Sequence, residues 1–224
     1  MFPIRDNIRS RTFPFVNYLI ILANLLMFCR ELQLVHLRAI EPFMIHYSLI
    51  PARFFSDPFA HWPEVFSAMF LHGGWAHVIG NMWFLFIFGD SVEDNMGHVR
   101  YFFFYLLCGF GAAAAQLFAG PRSAVPMLGA SGAIAGVLGA YCLLYPTAQV
   151  TTLFVFFIFI RFIDIPALFY LGLWFLVQAM NGMGSLAAHQ NAGGIAWWAH
   201  AGGFVTGFLL VILFAKRRRR PLPD

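Results

Sequence analysis

The chain has 224 residues, of which 60% are hydrophobic and 18% aromatic, whereas only 11% are charged. A soluble domain usually carries about 25% charged residues, so this composition excludes an ordinary soluble protein and indicates a multi-pass membrane protein. The formal net charge of +4 does not indicate nucleic-acid binding, because five of the fourteen basic residues form one run at 216–220, after an apolar segment. Such a run is typical of a cytoplasmic helix end that contacts anionic lipid.

Six apolar segments approach the roughly 20 residues that a membrane-spanning helix needs. The first follows three arginines at positions 5, 9 and 11 and lacks a small-residue cleavage pattern after it, so we predict a retained helix rather than a signal peptide. The predicted spans are 13–31, 75–90, 100–119, 127–145, 166–180 and 195–215.

Three segments lie between these spans. The long segment 32–74 is rich in Pro, Trp, His and other aromatic residues, so we expect it to be partly helical and interfacial. The stretch 150–163 is apolar but interrupted, and we interpret it as an interfacial or re-entrant lead-in to the fifth helix. The segment 181–194 is small, uncharged and glycine-rich, which predicts a flexible loop.

Six spans place both termini on the same side of the membrane. With the termini in the cytoplasm, ten of the fourteen basic residues lie inside and four outside, which agrees with the positive-inside rule. We therefore predict an all-α, six-helix membrane bundle. It forms one domain over 1–224, with a transmembrane core of about 13–215 and a basic tail at 216–224.

Four polar residues lie within predicted spans, where polar groups are expensive. His77 and Asn81 are in the second span, Ser131 in the fourth and His200 in the sixth. All three spans enter from the outer side, and His77, Ser131 and His200 lie about two to five residues in, so they converge within roughly 10 Å of one face. Asn81 is one turn below His77 on the same helix face.

Each of these residues also has a structural interpretation. A lone serine in a membrane helix often bonds a carbonyl or helps helices to pack, a histidine near a helix end is often interfacial, and Asn81 could bridge two helices. Gly132/Gly136 and Gly203/Gly207 are small-xxx-small pairs that allow the fourth and sixth helices to approach closely. That approach would bring Ser131 within reach of His200.

A serine and a histidine in contact provide a nucleophile and its base. His77, Asn81 and the Ser131 backbone N–H can donate to the oxyanion that forms on attack. No carboxylate is placed to complete a triad, so the residues predict a Ser–His dyad that needs no metal or cofactor. The GxSxG, SxxK and HExxH signatures are absent, and the three cysteines show no zinc spacing.

These residues, together with their neighbours, resemble the rhomboid intramembrane serine proteases over roughly residues 60 to 215. The combination of a GxSG motif, a following AHxxGxxxG and an upstream HxxxN is highly specific. The matching stretches are "HGGWAHVIGN" (72–81), "FGDSVEDNMGHVRYFFFYLLCG" (88–109), "GASGAIAG" (129–136) and "AHAGGFVTG" (199–207).

The resemblance implies a rhomboid fold and cleavage of single-pass or multi-pass transmembrane substrates within the lipid bilayer. It implies that Ser131 is the nucleophile, that His200 is the base, and that His77 and Asn81 lie at the oxyanion. It also implies a structural role for Glu93. It further implies that Gly129, Ala130 and Gly132 shape the loop around the serine. Close packing of the sixth helix on the fourth would depend on Gly136, Gly203 and Gly207.

The chain departs from the family pattern at one notable position. Some rhomboids carry a tyrosine one turn after the serine, under the histidine ring, whereas this chain has Ala135. Another group must then support His200. The bacterial-type motif leads us to expect the bacterial cytoplasmic membrane. The alternatives are a non-catalytic rhomboid-like protein that binds membrane helices, and a small channel or permease, for which no inverted repeat is visible.

Overall fold

The computed structural model describes residues 2–156, 159–187 and 196–216. Within these residues the chain forms ten α-helices and three β-strands, with a short 3-10 turn at Ala68–Phe70. The helices are α1 (Phe15–His36), α2 (Ile40–Tyr47), α3 (Pro51–Ser56), α4 (Pro58–His61), α5 (Pro63–Ser67), α6 (Trp75–Met96), α7 (His98–Ala119), α8 (Ser131–Leu144), α9 (Ala167–Ala187) and α10 (Trp197–Phe214). The strands are β1 (Phe2–Asp6), β2 (Gln149–Phe156) and β3 (Phe159–Pro166).

Four helices are long and apolar enough to cross a membrane, namely α1, α7, α10 and residues Ala167–Ser185 of α9. Two further helices complete the bundle: α8, which is apolar but has only 14 residues, and α6, which has 22. Each of the six predicted spans overlaps one of these six helices. The mostly helical membrane architecture is therefore confirmed.

Helix α8 is the centre of the bundle. Every residue from Gly132 to Cys142 is buried, as expected for a helix that is apolar all round and is enclosed by other helices. The largest fully buried side chains of the described residues are aromatic, and they belong to the same core cluster as α8. They are Phe88 of α6, Tyr101, Phe104 and Tyr105 of α7, and Tyr141 of α8. This enclosure fixes the first residue of α8, Ser131, relative to α6, α7 and α10.

Helices α8 and α10 meet along glycines. A Cβ atom added to Gly203 would collide with the carbonyl oxygen of Gly132, and one added to Gly207 would collide with that of Gly136. Gly139 lies in the same way against the carbonyl oxygen of Phe204. Helix backbones in direct contact allow short side chains to bridge the two helices.

A buried carboxylate joins α6 to the start of α1. Glu93 is fully buried, and its two oxygens accept from the backbone N–H groups of Val16 (2.9 Å) and Asn17 (2.7 Å). These are N–H groups that the first turn of a helix leaves unsatisfied, so the carboxylate caps α1. Asn17 in turn bonds Leu85 and Tyr101, which ties α1 to α6 and α7. This geometry fits the structural role that the resemblance implies for Glu93.

A three-stranded antiparallel sheet was not expected, and the all-α prediction is wrong in this respect. Strands β2 and β3 are antiparallel and pair Gln149 with Pro166, and β1, near the N-terminus, pairs with the other side of β2. The described residues of the segment 150–163, which we interpreted as an interfacial or re-entrant lead-in, therefore belong to two paired strands. Its Val, Ile, Thr and Phe residues favour strands. Trp83 Nε1 donates to the Pro3 carbonyl at 2.7 Å, so β1 lies beside the middle of α6.

Two predicted boundaries also differ from the structure. Helix α9 continues through Ala187, so the loop prediction is wrong for 181–187, whereas 188–194 lies outside the described residues. Trp198 Nε1 and Ser185 Oγ both donate to the Gly182 carbonyl in this added part of α9. At α8, residues 127–130 are not helical, because Met127 pairs with Leu49 in a β-bridge. The segment 32–74 is partly helical, as expected.

Candidate active site

Ser131 is the first residue of α8, so its side chain stands where the helix presents its free N–H groups. The preceding Gly129 has a φ of 119°, a left-handed conformation that favours glycine. A Cβ atom at Gly129 would also come within 2.6 Å of His77 Nε2. The Gly129 N–H donates to the Ala68 carbonyl at 2.8 Å, and this bond holds the loop in place. The glycine therefore lets the chain turn into the helix while His77 stays close to the serine.

His200 lies in the first turn of α10 and reaches across to α8. Its Nε2 atom is 2.8 Å from Ser131 Oγ, although the two residues are 69 positions apart in the sequence. The glycine contact between the two helices makes this short distance possible. The pair has the geometry that a hydroxyl nucleophile and its base require.

The other side of the His200 ring contacts α9. The Nδ1 atom lies 2.8 Å from Oε1 of Gln178, a side chain that is buried. Trp174, one turn earlier on α9, has its ring centre 5.9 Å from that of His200, and Trp197 packs edge-on at 6.5 Å. Gln178, Trp174 and Trp197 therefore contact the His200 ring in this chain, which has alanine at position 135 where some rhomboids have a tyrosine. The sequence analysis did not single out Gln178. It could have been found in the same way as Asn81, because it is a polar side chain within an apolar helix.

His77 of α6 approaches the serine loop from the opposite side. Its Nδ1 atom accepts from the Gly73 N–H at 3.3 Å. A neutral imidazole that accepts at Nδ1 carries its proton on Nε2. The Nε2–H group therefore faces the Gly129 loop beside Ser131, where it can donate.

Asn81 lies one turn below His77, and its amide is held by His72, a residue that the sequence patterns did not single out. Its Nδ2 donates to Nε2 of His72 at 3.0 Å, and both residues are buried. Burial lowers the pKa of the His72 imidazole to about 4, with a smaller effect from His77, so His72 is neutral at physiological pH. Its backbone N–H donates to the buried Glu31 carboxylate of α1 at 3.0 Å. An amide nitrogen has two hydrogens, so Asn81 keeps a second donor.

One cavity of about 940 Å³ lies between α6, α8, α9 and α10. The four residues singled out in the sequence all line it, namely His77, Asn81, Ser131 and His200. Among the described residues that line it, His77 and His200 are the ionisable imidazoles, and none is Asp, Glu, Lys or Arg. The remaining lining is mostly apolar or aromatic, including Phe84, Leu138 and Trp174. The cavity therefore offers an apolar volume with a few polar groups gathered at one end, which is typical of a binding or catalytic site.

The fold and the site define a class: a helical membrane protein in which a serine, three histidines and two amide side chains meet inside the helix bundle. The family follows from sequence comparison. A family model for the rhomboid domain matches residues 60–217, which is more than half of the chain. The chain belongs to the rhomboid family.

Several curated rhomboid-like proteins are similar to it. RHOMBOID-like protein 1 of Arabidopsis thaliana is 33% identical over 155 residues, which cover 69% of this chain and 35% of that protein. Rhomboid-like protein 11, chloroplastic, of the same plant is 39% identical over 79 residues, covering 35% of this chain and 28% of that protein. The mitochondrial presenilin-associated rhomboid-like protein of Homo sapiens is 28% identical over 204 residues, covering 86% and 46%. The chain thus matches less than half of the length of each relative.

Proposed function

We propose that this rhomboid-family protein is an intramembrane serine endopeptidase that cleaves transmembrane proteins near the outer membrane face. The observation that carries the proposal is the 2.8 Å contact between Ser131 Oγ and His200 Nε2 inside a cavity of the bundle. His200 takes the proton of the Ser131 hydroxyl while Oγ attacks the substrate carbonyl carbon. The tetrahedral intermediate then collapses as His200 gives that proton to the leaving amine. Water hydrolyses the resulting ester in a second round of the same steps.

The oxyanion of the intermediate needs donors that are already in place. We assign this role to the Ser131 backbone N–H at the start of α8, to His77 Nε2–H and to the second N–H of Asn81. The positive end of the α8 dipole adds to their effect. Gly129, Ala130 and Gly132 shape the loop that presents these groups. The steps require no metal and no cofactor.

The proposal includes the membrane topology. We assign all six long helices, α6 and α8 included, as spans with both termini in the cytoplasm, supported by ten basic residues on that side against four outside. The basic tail at 216–220 would then contact anionic lipid. The bacterial cytoplasmic membrane stays a prediction that the relatives do not support, because several carry mitochondrial or chloroplastic names.

The alternative in which the chain only binds membrane helices is separated from catalysis by a direct test. The purified protein is reconstituted with a model transmembrane substrate, and Ser131 is probed with a fluorophosphonate that labels activated serines. We expect cleavage and labelling of the wild type, and loss of both in Ser131→Ala and His200→Ala. The double variant should be no worse than either single one, because the two residues act as a unit.

Substantial cleavage by Ser131→Ala would overturn the proposed mechanism. Binding of the substrate helix with neither cleavage nor labelling by the wild type would favour the non-catalytic binder. Conduction through reconstituted vesicles without proteolysis would favour a channel or permease.

A further inference from the structure

The buried amide of Gln178 has a defined place beside the proposed base. It lies in α9 between apolar residues, it is 8% exposed, and its Oε1 is 2.8 Å from His200 Nδ1. Burying an amide is costly unless it is hydrogen-bonded, so this contact explains why a glutamine is tolerated here. The effect of the contact on His200 follows from the chemistry of the two side chains.

An amide oxygen can only accept, so the atom facing it must be a donor. His200 Nδ1 therefore carries a proton, and in a neutral ring Nε2 is then left with its lone pair toward Ser131. This is the tautomer that can take the hydroxyl proton, since the opposite tautomer would present Nε2–H to the serine. Once Nε2 is protonated, the Nδ1–H···Oε1 bond becomes a bond from a charged donor and grows stronger.

We propose that Gln178 is the positioning residue of the Ser131–His200 pair, fixing the His200 tautomer and stabilising the protonated ring during turnover. The proposal rests on the proposed function. The role filled by a carboxylate in a Ser–His–Asp triad is here filled by a neutral amide. Of the described residues facing the ring, Trp174 and Trp197 provide packing, and His77 is the other ionisable group lining the cavity.

The location of Gln178 adds a conformational consequence. Ser131 and His200 lie on α8 and α10, whose backbones are in contact at Gly132–Gly203 and Gly136–Gly207. Gln178 lies on α9, which meets α10 through side chains such as Phe175 and Phe204. If α9 moves away from the cavity, the dyad distance is kept while the bond to Nδ1 is lost. His200 is thus held in its active tautomer only when α9 is packed against α10.

Two substitutions at Gln178 test this proposal with opposite expected results. Gln178→Leu keeps the approximate shape but removes the acceptor, and kcat should fall about 10–100-fold, the value of one hydrogen bond to a charged group, with little change in KM. The acid limb of the pH–rate profile should move to lower pH. Gln178→Glu supplies a carboxylate, and the acid limb should move to higher pH with much of kcat retained.

Gln116→Leu is the matched control. The Oε1 of Gln116 accepts from the Ala199 N–H at 3.2 Å, so it also bonds α10, one residue from His200, but it contacts backbone rather than the ring. This variant should lower thermal stability without moving the pH–rate profile. A shift of the acid limb in Gln116→Leu as large as in Gln178→Leu would reduce Gln178 to a general packing residue.

The rate at which fluorophosphonate labels Ser131, measured against pH, gives a second readout that needs no transmembrane substrate. If the wild type is labelled and Ser131→Ala is not, the proposed function stands. In that case, equal labelling rates of Gln178→Leu and wild type across the pH range would overturn only the positioning role of Gln178. If the wild type itself is neither labelled nor active, the proposed function fails first. Should Gln178→Leu fail to fold, a pH profile of Gln178→Glu that is unchanged from wild type would equally overturn the positioning role.

Discussion

Gly203 of α10 lies against the carbonyl oxygen of Gly132 in α8, with no room between them for a Cβ atom. Gly132 directly follows Ser131, and Gly203 is three residues after His200. The distance between Ser131 and His200, the proposed nucleophile and base, is therefore set by a backbone contact rather than by the length of either side chain. Helix packing and the geometry of the proposed dyad depend on the same few residues.

Replacing Gly203 by alanine should separate the two helices and lower activity. The added methyl group must displace α8 or α10, and overpacking of this kind typically costs about 1–3 kcal/mol of stability. A misplacement of about 1 Å in an active site can cost about 10²-fold in rate, so we expect a loss of that order. The measurements are cleavage of a model substrate and the thermal midpoint of the purified protein.

Gly172→Ala provides the comparison for this substitution. Gly172 also lies within a helix, but nothing lies within 4 Å of a Cβ atom added there. Alanine is preferred to glycine in a helix interior by about 1 kcal/mol, so this variant should be as stable as the wild type or more so, and active. Equal activity of Gly203→Ala and Gly172→Ala would show that the glycine contact does not set the dyad distance.

The long helices could be predicted from the sequence because each is a largely apolar segment, and four of them have close to the 20 residues that a membrane span requires. The convergence of Ser131 and His200 could also be predicted, since depth along a helix follows from residue number and the glycine pairs indicate which helices touch. Both predictions depend on local patterns. They succeed because a spanning helix satisfies its backbone polar groups within one segment.

The sheet and the support of His200 could not be predicted in this way. Pairing of Phe2 with Leu153 joins residues far apart in the sequence, and neither strand alone shows which partner it will take. Gln178 is visible as a polar residue in α9, but its partner depends on how α9 rotates against α10. The extension of α9 to Ala187 was missed because Gly182 and Gly184 favour a loop in the sequence. In the structure this part is helical, and the Gly182 carbonyl accepts hydrogen bonds from Ser185 Oγ and Trp198 Nε1.

The proposed role of His77 and Asn81 as oxyanion donors is tested by His77→Ala and Asn81→Ala. Removal of one oxyanion donor typically costs about 10²–10³ in kcat, so we expect losses of this size with a smaller change in KM. Steady-state kinetics on a reconstituted substrate measure both parameters. His36→Ala serves as the control, because His36 is exposed at the end of α1. Wild-type kcat in both variants would leave His77 and Asn81 with a structural role only.

Asp6 should make the stability of the protein depend on pH. The pKa of its carboxyl is raised from 3.8 to about 6. Burial is the main cause and nearby Asp90 adds to it, whereas the hydrogen bond that the Tyr141 hydroxyl donates acts in the opposite direction. Between these two values the folded state binds more protons than the unfolded state. The stabilising contribution is therefore complete below about pH 4 and is lost as the pH rises through about 6.

Asp6→Asn removes this titration while leaving an oxygen that can accept from Tyr141. Relative to the wild type, the variant should gain stability as the pH rises from about 4 to about 7, by on the order of 1 kcal/mol after allowance for partial solvent exposure. Thermal midpoints measured across this range provide the test. Asp164→Asn, which removes an exposed carboxylate from the same sheet, is the control for the loss of a charge. Parallel midpoint curves for Asp6→Asn and wild type would contradict the assignment.

Movement of α9 away from α6 is the route by which we expect a transmembrane substrate to reach Ser131. The cavity lies between these helices, with Phe84 of α6 and Trp174 of α9 on its walls. Cross-linking α6 to α9 should then block cleavage of a membrane substrate. Suitable positions are Gly80→Cys, which lines the cavity and has open space for an added side chain, and Val177→Cys, which is exposed beside Gln178. A Cys29→Ser background removes the exposed native thiol.

A series of disulfide-containing cross-linkers of increasing length separates this gate from entry at the end of the bundle that carries Ser131. Short linkers should abolish cleavage, longer ones should restore it in part, and reduction should restore it fully, because α8 and α10 keep the dyad together throughout. Fluorophosphonate labelling of Ser131 should persist in the short-linked protein, since a small probe needs no displacement of a whole helix. Each single-cysteine variant treated with the same reagent corrects for modification alone. Full cleavage by a protein shown by mass to be completely cross-linked would exclude the α6–α9 gate, and the substrate would then have to enter from the end of the bundle that carries Ser131.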